Sequence, residues 1–168
     1  MKIIIKPKKI TRKNFKKFGD LICTKKIRPI NINNGYAKRF DNLCKINTSL
    51  RKGNTIVSIF SAKKRKFPMS IKMMEKHPLG SQAFIPMNET KFFVFVAPKG
   101  KKPNINSIKS FLVPKQTGIN YKPGIWHFPL ISTKNMNFLV IDRKGIGNNL
   151  KLFAGRSWHC LAILPLSS

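Results

Sequence analysis

Three histidines, His77, His127 and His159, are the side chains best suited to move protons near neutral pH or to ligate a divalent metal. His77 lies in Glu75-Lys76-His77-Pro78-Leu79-Gly80-Ser81-Gln82. Residues two apart in a strand point to the same face, so Glu75 and His77 project together. If that face lines an interior, the pair can bind a metal or act as a general base; if it faces solvent, it is a surface pair leading into a proline turn. His127 follows a Pro-Gly turn in Tyr121-Lys122-Pro123-Gly124-Ile125-Trp126-His127-Phe128, at the start of a short apolar strand. His159, beside Trp158 in an apolar tail, reads as structural.

The background against which these residues stand is narrow in acid. The 168 residues contain 34 Lys plus Arg and 5 Asp plus Glu, a formal net charge of +29. Asp20, Asp41, Glu75, Glu89 and Asp142 are too few for a carboxylate-rich two-metal hydrolase. The positive charge invites a nucleic-acid reading. However, the lysines are scattered along the chain, and 27 Lys stand against 7 Arg, whereas base readout and bidentate phosphate contacts favour Arg. Nucleic-acid binding is therefore not expected as the main function. Cys23, Cys44 and Cys160 are widely spaced and form no C-x-x-C pair, which fits free thiols in a reducing compartment. No apolar run reaches the roughly 20 residues of a membrane span. A cytoplasmic protein without a membrane partner is expected.

Elements that could position these residues are short and extended. Strands are expected at Ile3–Ile5, Thr55–Phe60, Met69–Glu75, Ala83–Met87, Phe92–Ala97, Ile125–Phe128, Phe138–Ile141, Leu150–Phe153 and 159–164. Thr11 suits the N-cap of a helix over Arg12–Phe18 ended by Gly19, and a second helix is expected over Ile105–Phe111. Many short strands divided by Gly and Pro indicate an all-β barrel or sandwich with two short helices. No repeat or long linker divides the chain, so residues 1–168 are expected to form a single domain.

Two resemblances sharpen this. G-x-x-H after a Pro-Gly turn resembles the second motif of cupin barrels, whose His is commonly a metal ligand, and Glu75-x-His77 stands where their first motif would. More specifically, the thirteen residues Met74-Glu75-Lys76-His77-Pro78-Leu79-Gly80-Ser81-Gln82-Ala83-Phe84-Ile85-Pro86 resemble the signature of the ureidoglycolate lyases. Ile32-Asn33-Asn34-Gly35, Gly118-Ile119-Asn120-Tyr121, Gly124-Ile125-Trp126-His127 and Phe138–Arg143 agree in order, so that the resemblance spans about residues 10 to 149. It implies a cupin-like (double-stranded β-helix, jelly-roll type) barrel, usually a homodimer, that splits ureidoglycolate into glyoxylate and urea in allantoin breakdown. That family often carries a second His after Trp-His, where this chain has Phe128.

The resemblance implies His77, His127 and Glu75 as catalytic residues, and the same three as ligands of a divalent metal if one is used; no organic cofactor is expected. Cleaving the carbinolamide needs a base for its hydroxyl proton and an acid for the departing urea nitrogen, work for which an imidazole is suited. Gln82, Asn120 and Tyr121 are candidates for hydrogen bonds to the ureido group, and Lys122 or Arg143 for holding the carboxylate. For Asp142-Arg143, a salt bridge at a strand end stays open beside a substrate contact. Two other classes also remain open: a cupin-like binding or isomerase-type protein for another small carboxylate, and a basic polyanion-binding protein.

Overall fold

The computed structural model describes residues 3–155, 158 and 160–163. The expected strand at 159–164 falls partly outside them, as does His159. Strands are numbered in chain order. One sheet has the order β3 (Gly19–Ile22), β12 (Gly118–Tyr121), β9 (Gln82–Pro86), β15 (Met136–Lys144), β6 (Asn54–Ala62). A second runs β16 (Lys151–Ala154), β8 (Met73–Lys76), β13 (Trp126–His127), β10 (Phe92–Ala97), β11 (Lys109–Val113), β2 (Lys8–Lys9), with β14 (Ile131–Ser132) also on β10. A small sheet joins β1 (Ile3–Ile5), β17 (Cys160–Ala162) and β7 (Met69–Ser70), and β4 (Ile30–Ile32) pairs with β5 (Ala37–Arg39). Pairing is antiparallel except for β1 with β17 and β2 with β11. The result is the all-β barrel expected from the sequence.

Strand β10 explains the layering. Its six residues Phe92-Phe93-Val94-Phe95-Val96-Ala97 are all buried, because the strand is covered on both faces. Phe92, Val94 and Val96 point into the barrel, where they meet Phe84, Tyr121, Phe138 and Val140 of the facing sheet. Phe93, Phe95 and Ala97 point outward and are covered by Ile5, Cys160 and Ala162 of the small sheet, with Met74 and Trp126. A six-residue apolar run without alternation is thus a strand sandwiched between two cores. By contrast β6 is an edge strand, and Val57, Ile59 and Phe60 on it remain exposed.

The helical expectations need correction. The first helix covers only Arg12–Phe15; Thr11 caps it with a reciprocal bond to Asn14, and Gly19 opens β3. The expected helix over Ile105–Phe111 is a single 3-10 turn, Ile105–Ser107, followed by β11. The apolar positions 105, 108, 111 and 112 mimic a helical stripe, but Phe111 and Val113 instead alternate into the barrel opposite β10. Cross-strand burial overrides the local periodicity. Sequence reading also missed β3 and β12, the pair that closes the end of the five-stranded sheet.

Gly19 pairs with Tyr121 and lies so close to the next strand that a Cβ would overlap the carbonyl of Asn120 and touch the Phe15 ring at 3.0 Å. Gly19→Ala is therefore expected to destabilise by about 2–3 kcal/mol through overpacking. Gly100→Ala, where a Cβ would meet only Lys102 O at 3.3 Å, should cost far less. Chemical denaturation of the two variants measures the difference.

Candidate active site

Strand parity sorts the candidate residues before any distance is considered. On β13, Trp126 pairs with Ala97 and His127 with Val96, so Trp126 points outward and His127 into the barrel. His127 is also directly opposite Glu75 on β8, which puts the carboxylate on the same inner side. Met74 packs in the outer core, and Lys76 reaches outward to sit 4.4 Å over the Trp126 ring. His77, two residues beyond Glu75, returns to the inside. On the facing sheet Tyr121 pairs with Gln82, and both are buried on the inner face. Phe138 and Val140 face inward on β15; by the same alternation so does Asp142, which accepts a 3.4 Å hydrogen bond from Gln82 Nε2.

Local devices fix the imidazoles. Lys122-Pro123-Gly124-Ile125 is a turn closed by Ile125 N donating to Lys122 O, with Gly124 at φ +77° where a side chain would be strained. Gly124 N also donates to the His77 carbonyl at 2.8 Å, tying the turn before His127 to the segment carrying His77. His77 Nδ1 lies 2.9 Å from the Asn149 carbonyl, and His127 Nδ1 lies 3.1 Å from the Ile125 carbonyl. A carbonyl can only accept, so each Nδ1 carries the hydrogen and each Nε2 keeps its lone pair. Tyr121 stacks on His127 with centroids 4.3 Å apart and 12° between planes, and His77 lies 5.4 Å from His127, centroid to centroid.

The Nε2 atoms are what these anchors present. His127 Nε2 is 3.5 Å from Glu75 Oε1, a long contact at the limit of a hydrogen bond. His77 Nε2, His127 Nε2, Gln82 Oε1 and Asp142 Oδ1 are all buried and have no hydrogen-bond partner among the described residues. Buried polar atoms left unpaired in one place call for a ligand, a water or an ion. One donor atom from each of Glu75, His77 and His127 lies within 4.8 Å of the others. Two imidazoles with Nδ1–H bonded to carbonyls and one carboxylate form a donor set that fits a divalent metal ion.

The neighbours also set the charges. Burial is the strongest influence lowering the His77 pKa, and the nearby His127 adds to it; Glu75, the Asn149 carbonyl and Asp142 oppose them without prevailing. Burial pushes the Glu75 carboxyl up, but the contact with His127 and the charges of His127 and His77 together hold it below its ordinary value. Burial and the Glu75 charge keep the Tyr121 phenol protonated, so it is a neutral hydrogen-bond donor.

Asn120, Lys122 and Arg143, expected among the substrate contacts, do not join this cluster. Each is one residue out of phase with an inner-facing neighbour. Asn120 turns to the outer side, where its Nδ2 donates to Lys45 O at 2.9 Å and lies 3.5 Å from Asp20 Oδ2. Lys122 Nζ donates to Lys16 O at 2.6 Å. The Arg143 guanidinium is buried and donates to the carbonyls of Leu50, Arg51 and Ile146, clamping the loop before β6 to the exit of β15. The salt-bridge reading of Asp142-Arg143 does not hold, because the two side chains diverge to opposite faces. Asp142 as an inner-facing group was missed, although Phe138, Val140, Asp142 at period two carry the signal.

A cavity of about 610 Å³ opens onto this cluster, with Glu75 and Gln82 among its lining residues and Lys63 to Lys66 along its side. That volume lies in the usual range for small-molecule sites. No helix among the described residues is long and apolar enough to cross a membrane.

The ureidoglycolate lyase family profile matches residues 2–159. A ureidoglycolate lyase of Pseudomonas paraeruginosa is 43% identical over 146 residues, covering 86% of each chain. One from Pseudomonas fluorescens strain Pf0-1 is 42% identical over 141 residues, covering 83% of this chain and 84% of its own. Among solved structures, a 3,4-ketoisomerase from Helicobacter canadensis is similar at 16% identity with a TM-score of 0.44, covering 78% of this chain and 86% of its own.

The two pKa shifts give acid sensitivity one direction. The unfolded chain takes up a proton on His77 near 6.5 while the folded chain does not, so stability falls as pH drops through and below that value. Glu75 releases its proton at lower pH when folded; its contribution is present above the ordinary value of 4.5 and is lost as pH falls through the folded value. Both terms favour the folded state at higher pH. Thermal midpoints are expected to fall between pH 7 and pH 5, and His77→Gln should flatten that limb, as differential scanning calorimetry across the range would measure.

Proposed function

The chain belongs to the ureidoglycolate lyase family, and on that premise we propose that it cleaves ureidoglycolate to glyoxylate and urea, with Glu75, His77 and His127 at the reacting centre. The observation that carries the assignment of residues is the convergence of two tautomer-fixed imidazoles and one carboxylate on the inner face of the barrel.

The reaction breaks the bond between the carbinol carbon and the ureido nitrogen. A base accepts the hydroxyl proton, the oxygen lone pair forms the aldehyde of glyoxylate, and the C–N pair leaves with the nitrogen, which an acid protonates to give urea. His77 Nε2 suits the base: its lone pair is unpaired, and its lowered pKa keeps it neutral at pH 7. His127, with Glu75 Oε1 3.5 Å from its Nε2, is assigned the proton transfer to the departing nitrogen. Gln82 offers Oε1 to the ureido N–H groups, with Nε2 held by Asp142, and Tyr121 keeps the His127 ring in plane by stacking. The same Glu75, His77 and His127 donors would hold a divalent ion, which would supply Lewis-acid polarisation of the substrate oxygens.

This reading is favoured over a binding or isomerase-type role and over polyanion binding by family membership together with the imidazoles that converge with Glu75 on the inner face of the barrel. The homodimer implied by the family resemblance is part of the same reading, and sedimentation velocity checks it. The wild-type protein is expected to release urea and glyoxylate in equal amounts from ureidoglycolate. His77→Ala and His127→Ala should each lower kcat by about 100-fold or more. Unchanged rates in both variants would reject the assignment of these residues. Loss of activity on chelation, restored by one divalent metal, identifies the ion; insensitivity to chelation assigns the proton transfers to the imidazoles alone.

A further inference from the structure

The proposed substrate is an anion, and the residues expected to hold its carboxylate are committed elsewhere. Arg143 is wrapped in backbone carbonyls on the outer side of β15, and the Lys122 ammonium donates to Lys16 O. Among the described residues, neither a Lys nor an Arg side chain joins the inner-facing cluster. A carboxylate entering a buried site beside Glu75 and Asp142 therefore needs a positive partner from another element, since two or three like charges close together repel strongly in a low-dielectric interior.

The cavity supplies one. Lys63, Lys64, Arg65 and Lys66 all line the cavity whose lining also includes Glu75 and Gln82. They follow β6 directly, and the segment is held as a shaped loop. Lys64 N donates to Asn135 Oδ1 at 2.9 Å, and Arg65 N donates to Ser132 O at 2.7 Å. The Arg65 guanidinium sits 5.7 Å over the ring of Phe128, the residue next to His127. Among the described residues no carboxylate lies within ion-pair distance of any of the four cations. Two successive backbone amides thus fix the path of the loop beside the cavity.

We propose that the loop Lys63–Lys66 is the carboxylate-recognition element of the site, selecting small 2-hydroxy or 2-oxo acids over neutral analogues. The inference rests on the lyase reading for the identity of the substrate, and on the cavity lining for the position of the charge. The loop binds the carboxylate at the cavity edge while the hydroxyl and ureido groups reach the imidazoles and Gln82. Its four charges act locally, so they do a job that the other exposed cations of the surface do not.

The test compares the wild type with a variant in which Lys63, Lys64, Arg65 and Lys66 are all replaced by Gln. A control replaces Lys25, Lys26, Lys101 and Lys102, exposed residues outside the cavity lining, by Gln. The loop variant is expected to raise KM for ureidoglycolate about tenfold or more, the loss falling on KM rather than on kcat. Competitive inhibition by glyoxylate should weaken by a similar factor and inhibition by urea should not change. The control should match the wild type at physiological salt. KM and glyoxylate inhibition within twofold of wild type in the loop variant, or an equal rise in the control, would overturn the proposal. Calorimetric titration of glyoxylate into wild type and loop variant decides the question even if ureidoglycolate is not turned over. That outcome would sink the lyase reading, while a loss of glyoxylate affinity confined to the loop variant would still uphold the recognition element.

Discussion

The cross-strand pairing of Glu75 with His127 is the constraint on which the rest of the site depends. It is a register: β8 and β13 meet so that a carboxylate and an imidazole are directly opposite each other inside the barrel. A slip of one residue in either strand would turn the pair into the outer core now filled by Met74 and Trp126, and would bring those apolar side chains into the cavity. The outer core therefore enforces the inner chemistry. Met74 and Trp126 are buried against the small sheet, and this apolar burial holds the register that the polar pair could not secure alone.

Around this pair, backbone carbonyls rather than side chains do the orienting. Asn149 and Ile125 each accept from an Nδ1, and the Lys122–Ile125 turn sets the entry of β13 while its Gly124 amide bonds to the His77 carbonyl. The two imidazoles are consequently linked through the main chain. With 34 cationic and 5 acidic residues in the chain, Glu75 and Asp142 are scarce carboxylates on the inner side of the barrel, and Lys63 to Lys66 line the cavity beside them.

How far this was legible in the sequence differs from residue to residue. Glu75 and His77 could be read because their relationship is local: two residues apart in an extended segment, within a contiguous run of thirteen residues similar to a known signature. His127 could be read from its Pro-Gly turn. The placement of Asn120, Lys122 and Arg143 was obscured because adjacency in sequence suggests adjacency in space, whereas in a strand adjacent residues face opposite ways. Asn120 adjoins Tyr121 and Asp142 adjoins Arg143 in the sequence, and the barrel separates each pair. β11 was hidden for another reason: the apolar spacing through 105, 108, 111 and 112 satisfies both a helical and an extended pattern, and only the pairing with β10 decides between them. The basic loop was legible as a charge cluster, but its place on the cavity depends on tertiary contacts with Ser132 and Asn135, about 70 residues further along the chain.

The proposed chemistry requires Glu75 and His127 to work as one unit, and a double-mutant cycle on kcat/KM for ureidoglycolate measures this directly. With Glu75→Gln, His127→Gln and the double variant, the prediction is strong non-additivity: once one partner is lost, removing the other costs little more. Losses that multiply, so that the double variant falls by the product of the two single effects, would show that the two residues act independently and would contradict the central claim.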